Sequence, residues 1–438
     1  MQKMDKAALK ARVCEIIRER NAEIVELGRS IFAEPELGFK EVKTSAKIKA
    51  AFAKLGVECE TGWGITGVKA RMKGKASKRT VAMLGELDAI VCRTHPNCDA
   101  VTGAAHCCGH NVQIANLVAV AMAMKDVDAM KYLGGDLVLF AVPAEEYVEI
   151  EYRNKLREDK QIEFLGGKAQ IIAEGEFDDV DMALQMHVDP ATHPEGNFQV
   201  GNTSNGFIGK LITYRGKAAH AAGAPDKGVN ALNAAMMGVM GVNAIRETFR
   251  EDDCVRFHPI INAGGDLVNV IPDYVKMESY VRASNLPAMK DVNARINRAL
   301  EAGAMALGAE CDIHDLAGYL PMKPDENFRA VLRANAEKIF GAEFVTEGEH
   351  AAGSTDMGDV SHLMPVVHPW VGCVSGVLHG ANYRLTDEKT AFTKTPQVLA
   401  GTIVDLLWDD AAEAERICAA HKPELTKAEY LEYMRSFA

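Results

Sequence analysis

NVQIANLVAVAMAMKDVDAMKYLGGDLVLFAVPAEE (residues 111–146) decides the fold class. Residues 111–127 read as an apolar helix, and DLVLFAVPAEE (136–146) as an apolar run of strand length ending on two carboxylates. Upstream, TVAMLGELDAI (80–90) is a second strand. Downstream come a helix around GGKAQIIAEG and a third strand, VDMALQMHVD (180–189). Alternating strands and helices predict an α/β fold, a mostly parallel sheet with helices on both faces. Ligands bind such sheets beyond the carboxyl ends of the strands. Asp88, Glu145, Glu146 and His187 each fall at the end of an apolar run. Four chemically capable groups are therefore expected on one rim.

A second texture begins near residue 205. GFIGKLITYRGKAAHAA reads as a strand and turn, and VNALNAAMMGVMGVNAIRETF as a helix. VRFHPIINAGGDLVNVIPDYVKMESYVRAS reads as two antiparallel strands, and LPAMKDVNARINRALEAGAMALGA as another helix. This order predicts a small α+β domain inserted into the first. After about residue 316 the first texture returns, with the helix FRAVLRANAEKIFG and the strand-like HPWVGCVSGVLHG. The expected organisation is 1–204 and 316–438 for the α/β domain and 205–315 for the insert. No internal repeat or low-complexity linker interrupts it.

Composition narrows the function classes. The chain has 438 residues, 48% hydrophobic and 25% charged, as a globular protein of more than one domain should. A net charge of −12 argues against a nucleic-acid footprint or a polybasic membrane contact, and leaves small molecules as the expected partners. The N-terminal residues carry charges at helical spacing without a continuous apolar stretch, and no run approaches a membrane span. Ten cysteines at low density predict free thiols and a cytoplasmic setting.

Just before the helix, AAHCCGHN (104–111) places His106, Cys107, Cys108 and His110 within five positions. A closed structural zinc site drawing on Cys92, Cys98, Cys107 and Cys108 fits no standard spacing. Cys108 at a helix start with His110 nearby suits a thiol nucleophile, although no third orienting group is evident. Buried thiols with a capping histidine are the plain alternative. An open catalytic metal site is the fourth reading. The glycine between Cys108 and His110 lets both face one centre, and Glu146, His187 and His379 would complete the five or six ligands that two divalent ions need. In PAEE, the adjacent carboxylates Glu145 and Glu146 point in different directions. One can bind metal while its neighbour holds a water as general base. In the insert, His220 lies among small residues in GKAAHAA. Asn269 in NVIPD and Arg282 offer donors suited to a carboxylate.

AEPELGFKEVKTS (33–45), GELDAI, HCCGHN, PAEE, MHVD, GKAAHAA, NVIPD, GSTDMGDVS (353–361) and GVLHG occur in an order that resembles the M-twenty metallopeptidases along nearly the whole chain. Within them the chain is most similar to the amidohydrolase branch and its p-aminobenzoyl-glutamate hydrolase group. The resemblance implies a zinc-peptidase-like catalytic domain, an inserted lid and dimerisation domain, and a homodimer formed through the lid. It implies two divalent ions, zinc or manganese, held by Cys108, His110, Glu146, His187 and His379. Glu145 would be the general base and Asp88 an orienting acid. His220 would polarise the scissile carbonyl from the partner's lid, while Asn269 and Arg282 would hold a substrate carboxylate. The implied activity is hydrolysis of the amide bond of an N-acyl amino acid, an aroyl-glutamate or a dipeptide. A catalytically silent metal-stabilised binding protein and a hydrolase using Cys108 as nucleophile are the alternatives.

Five features depart from the expected pattern. Cys107 stands where Ala is usual, Asn111 stands for Asp, and a later His is absent. Glu86 occupies a position where other branches carry a metal-binding His. The segment YVEIEYRNKLREDKQIEFLGGK (147–168) is longer than the usual link after PAEE.

Overall fold

The computed structural model describes residues 4–194 and 196–437. The chain divides into two compact units. One comprises the chain up to Thr203 with Lys323–Glu349 and Asp359–Lys427; the other comprises Ser204–Met322, His350–Gly358 and the residues from Ala428. Among the described residues no helix is long and apolar enough to cross a membrane.

The first unit is built on a six-stranded sheet in the order Cys59–Trp63, Gly67–Met72, Asp136–Val142, Thr80–Glu86, Met182–Leu184, Val366–Val367. The last four strands are parallel to one another, and Gly67–Met72 runs antiparallel beside them. Strands Thr80–Glu86 and Asp136–Val142 are buried along their whole length, as continuous apolar runs in a covered parallel sheet should be. The intervening helix, His110–Asp126, is buried on every side from His110 to Met124. It lacks a polar face and so packs beneath neighbouring helices as well as on the sheet. The chain returns after the insert, and Val366–Val367 completes the sheet beside Met182–Leu184.

The run 180–189 forms two strands rather than the single one expected. Met182–Leu184 lies in the main sheet, while His187–Pro190 pairs in parallel with Trp370–Ser375 in a second sheet. At the break, Gln185 turns its amide inward to the carboxylate of Glu86.

In the second unit Gly206–Arg215 pairs antiparallel with Tyr274–Ala283 on one side and Glu310–Ala317 on the other. Residues alternate in and out along Tyr274–Ala283, which gives this sheet one apolar face. Helices Ala231–Ile245 and Leu286–Leu307 cover that face, enclosing Tyr214, Val275, Met277, Ile296 and Leu300.

Candidate metal centre

The bend that begins the buried helix sets the centre. Gly109 adopts φ 87°, and a Cβ there would collide with Val188 and approach the Tyr383 hydroxyl at 3.1 Å. Glycine thus solves two problems, the left-handed turn and the close approach, and lets Cys108 and His110 face one space. Cys108 Sγ lies 3.3 Å from His187 Nε2 and 3.2 Å from His379 Nε2. His379 Nε2 lies 3.0 Å from Glu146 Oε1. Potential donor atoms therefore fall into two groups that share Cys108: Cys108, His110 and His187, and Cys108, Glu146 and His379, each within 4.8 Å of one another. A third such group, Glu86, His110 and Glu145, adjoins them.

The imidazoles are oriented from behind. His110 Nδ1 lies 2.9 Å from the Asp88 carbonyl and 3.3 Å from its carboxylate, and His187 Nδ1 lies 2.7 Å from the Val188 carbonyl. With Nδ1 engaged by a carbonyl, Nε2 is the nitrogen turned toward the centre. His110 Nε2 is buried and faces the carboxylate of Glu86. His187, expected at a strand end, opens a strand instead of closing one, and His379 lies off its strand, four residues beyond Ser375 in a turn, at φ 63°.

The electrostatics fit cation binding. Burial and Glu146 push the Cys108 thiol up, but His379, His187 and His110 outweigh them and bring it down to about 6. Burial likewise pushes Glu146 up, and His379 with His110 pulls it down to about 2. Glu146 in turn holds His379 cationic against the effect of burial. A thiolate and a carboxylate enclosed in low dielectric demand positive charge, which protons on imidazole supply and divalent ions would replace. Three imidazoles, a thiolate and a carboxylate are donors that suit two such ions.

Several residues with no assigned part stand directly behind the donors. Glu86 accepts from Lys168 Nζ at 2.7 Å, Gln113 Nε2 at 2.8 Å and Gln185 Nε2 at 2.6 Å, and its Oε2 is 3.0 Å from His110 Nε2. Glu86 and Lys168 are both fully enclosed. Removing one member of such a pair strands the other charge in the interior. Glu86→Leu is expected to destabilise the metal-free fold by about 3 kcal/mol, measured by denaturant unfolding, with Glu86→Leu/Lys168→Met recovering much of the loss. Glu41, also buried, accepts from Thr66 Oγ1 at 2.6 Å and the Ala144 N–H at 2.8 Å, and burial with the neighbouring Asp88 pushes it up to about 7. His106 is buried with neither ring nitrogen hydrogen-bonded, and burial lowers it to about 3. Asn111 donates to the Gly28 carbonyl at 3.1 Å in the first turn of the helix, away from the donor groups.

In the second unit, His220 is exposed on a loop bridged to Val270, and the Ala221 N–H donates to the Asn269 carbonyl at 2.9 Å. His220 Nδ1 accepts from the N–H groups of Ala222 at 3.2 Å and Gly223 at 3.0 Å, so its proton resides on the outward Nε2. Arg282 donates to Ser354 Oγ at 2.7 Å and its guanidinium lies 5.3 Å from the rings of Phe207 and Tyr280. The loop joins His220 to Asn269, while Arg282 is held by its own strand neighbours and by the GSTDMGDVS segment.

Residues 83–405 match Peptidase family M20/M25/M40, and the chain belongs to this family. It is 27% identical to the Xaa-Arg dipeptidase of Mus musculus over 92% of this chain and 90% of that protein. It is 24% identical to the N-acetylcysteine deacetylase of Bacillus subtilis over 88% of this chain and 97% of that protein. Its fold matches that of the YXEP protein of Bacillus subtilis, a dinuclear metal binding peptidase, with a TM-score of 0.66 and 22% identity over 89% of this chain and 99% of that one. The chain is a hydrolase of the metal-dependent peptidase class that acts on amide bonds.

Proposed function

We propose that this enzyme cleaves the amide bond of a small substrate ending in a free amino-acid carboxylate: an N-acyl amino acid, an aroyl-glutamate or a dipeptide. The observation that carries the reading is the sharing of Cys108 by two donor groups, with Glu145 in the adjoining group beside His110. His110 and His187 would hold one ion, Glu146 and His379 the other, and Cys108 would serve both. Zinc suits the thiolate, and manganese is compatible with the remaining donors. Such ions supply Lewis acidity to the scissile carbonyl and to the attacking water.

The chain's own groups carry the protons. Glu145 takes one from the water and returns it to the leaving amine. Asp88 holds the His110 ring by accepting from Nδ1 at its main-chain carbonyl. The partner subunit's His220 donates from Nε2 to the carbonyl oxygen as charge develops there. Asn269 and Arg282 receive the substrate carboxylate, with Arg282 kept in place by aromatic rings and Ser354. Exposed Met236, Met237 and Met240 on one helix, with Ile260 and Ile261 on a strand of the same unit, support a homodimer formed through this unit. All ten cysteines are free thiols, in keeping with a cytoplasmic setting.

A screen of acyl-amino acids, aroyl-glutamates and dipeptides with and without chelator tests the reading. Hydrolysis of at least one class is expected, lost on chelation and restored by zinc or manganese. Activity that survives complete metal removal would instead favour Cys108 as nucleophile, whose lowered thiol beside two imidazoles is the observation in favour of that second reading.

A further inference from the structure

The turn that delivers Glu145 and Glu146 is held in place by a residue from the long segment that follows it. Ala144 adopts φ 55°, a left-handed conformation that a residue with a Cβ keeps only where its surroundings impose it. Its N–H donates to Glu41, and its carbonyl accepts from the Gly167 N–H at 3.1 Å and from Arg153 Nη1 at 3.2 Å. Two residues on, the Glu146 N–H donates to Asp88 Oδ2 at 2.9 Å, and its carbonyl accepts from the Val148 N–H at 2.8 Å and from Arg153 Nη2. Arg153 Nη1 also donates to the Leu165 carbonyl at 2.8 Å. One guanidinium thus ties both sides of the turn to the far end of the 147–168 segment.

Arg153 is 1% exposed, with its guanidinium carbon 5.3 Å from the Phe39 ring and 6.0 Å from that of Tyr147. A Cβ on Gly38 would collide with the guanidinium, so the backbone opposite is also shaped around it. Enclosing a cation to bridge backbone carbonyls is costly in desolvation and is a poor way to gain stability. What the rigid fork of an arginine supplies is fixed spacing between several acceptors. Helix Ile150–Glu158, on which Arg153 sits, gives that fork a firm base.

We propose that Arg153 is a positioning residue: it fixes the Ala144–Glu146 turn so that the Glu146 carboxylate stays with Cys108 and His379 as an ion donor while Glu145 is left for the reacting water. The inference rests on the function proposed above. It makes the 147–168 segment a brace for the metal centre.

The test is removal of zinc from the loaded full-length protein by titrated chelator, with thermal unfolding of each variant recorded in parallel. Wild type is expected to release two ions. In Arg153→Met, the ion that depends on Glu146 is expected to leave at about 10–100-fold lower chelator, while the other is retained as in wild type. Glu146→Gln identifies that ion, and adding Arg153→Met to it should weaken binding no further, since both act through one carboxylate. Arg153→Lys, able to reach fewer acceptors, should fall between, and it carries the same comparison if the Met variant does not fold. Wild-type release of both ions from the Met and Lys variants overturns the proposal, as does equal weakening of both ions that adds to Glu146→Gln. Wild-type protein that holds no ion would overturn the proposed function itself, a result distinct from either.

Discussion

Glu145→Gln is expected to reduce kcat by about 10²–10⁴-fold while leaving the ion content unchanged. The amide keeps the shape of the carboxylate and cannot take a proton from water. Glu145 Oε2 lies 3.9 Å from His110 Nε2, in the donor group that does not include Cys108. Glu146 is drawn the other way, with His379 at 3.0 Å and the Cys108 thiol beside it. The two neighbours are thus divided between a site for reaction and a site for binding. Glu146→Gln should accordingly lose one ion as well as activity. Elemental analysis beside steady-state kinetics separates the two variants. Turnover retained in Glu145→Gln would rule out this residue as the base, and loss of an ion from it would reassign the pair.

The parallel sheet and the spacing of the donors are legible in the chain because both depend on local pattern. Apolar runs of strand length alternate with helices, and Gly109 between Cys108 and His110 announces a sharp bend. His220 also declares itself through the small residues around it. Other features are invisible at that level because tertiary packing creates them. Lys168 and Arg153 lie in charged or glycine-rich stretches, yet both are buried, Lys168 against Glu86 and Arg153 against Gly38 and Phe39, all far back along the chain. Glu86, noted only for its unusual position, proves to be the hub of an enclosed network with Lys168, Gln113 and Gln185. The run 180–189 looks uniform in hydropathy and still divides between two sheets, since strand pairing and not composition decides where it breaks. Likewise, the apolar approach to His379 continues past the end of the strand into a turn.

Cys108→Ala should have the widest effect of any single substitution, because Cys108 is common to the two donor groups that would each hold an ion. Loss of Glu146 or His187 touches one group; loss of the thiolate touches both. Both ions are expected to bind far more weakly, and kcat/KM to fall by at least ~10³-fold as Lewis-acid stabilisation at the carbonyl disappears. Removing the thiolate also takes from His187 the anion that most favours its charge, whereas His379 keeps Glu146 at 3.0 Å. This result alone does not distinguish a metal donor from a nucleophile, since either role is abolished by Ala. Cys108→Asp does. A carboxylate can serve two ions at once through its two oxygens, but it cannot replace a thiolate in forming and releasing an acyl intermediate at this site. Partial recovery of both ions and of chelator-sensitive hydrolysis in Cys108→Asp is the expected outcome. Recovery of the ions without any hydrolysis would move the chemistry back onto the thiol.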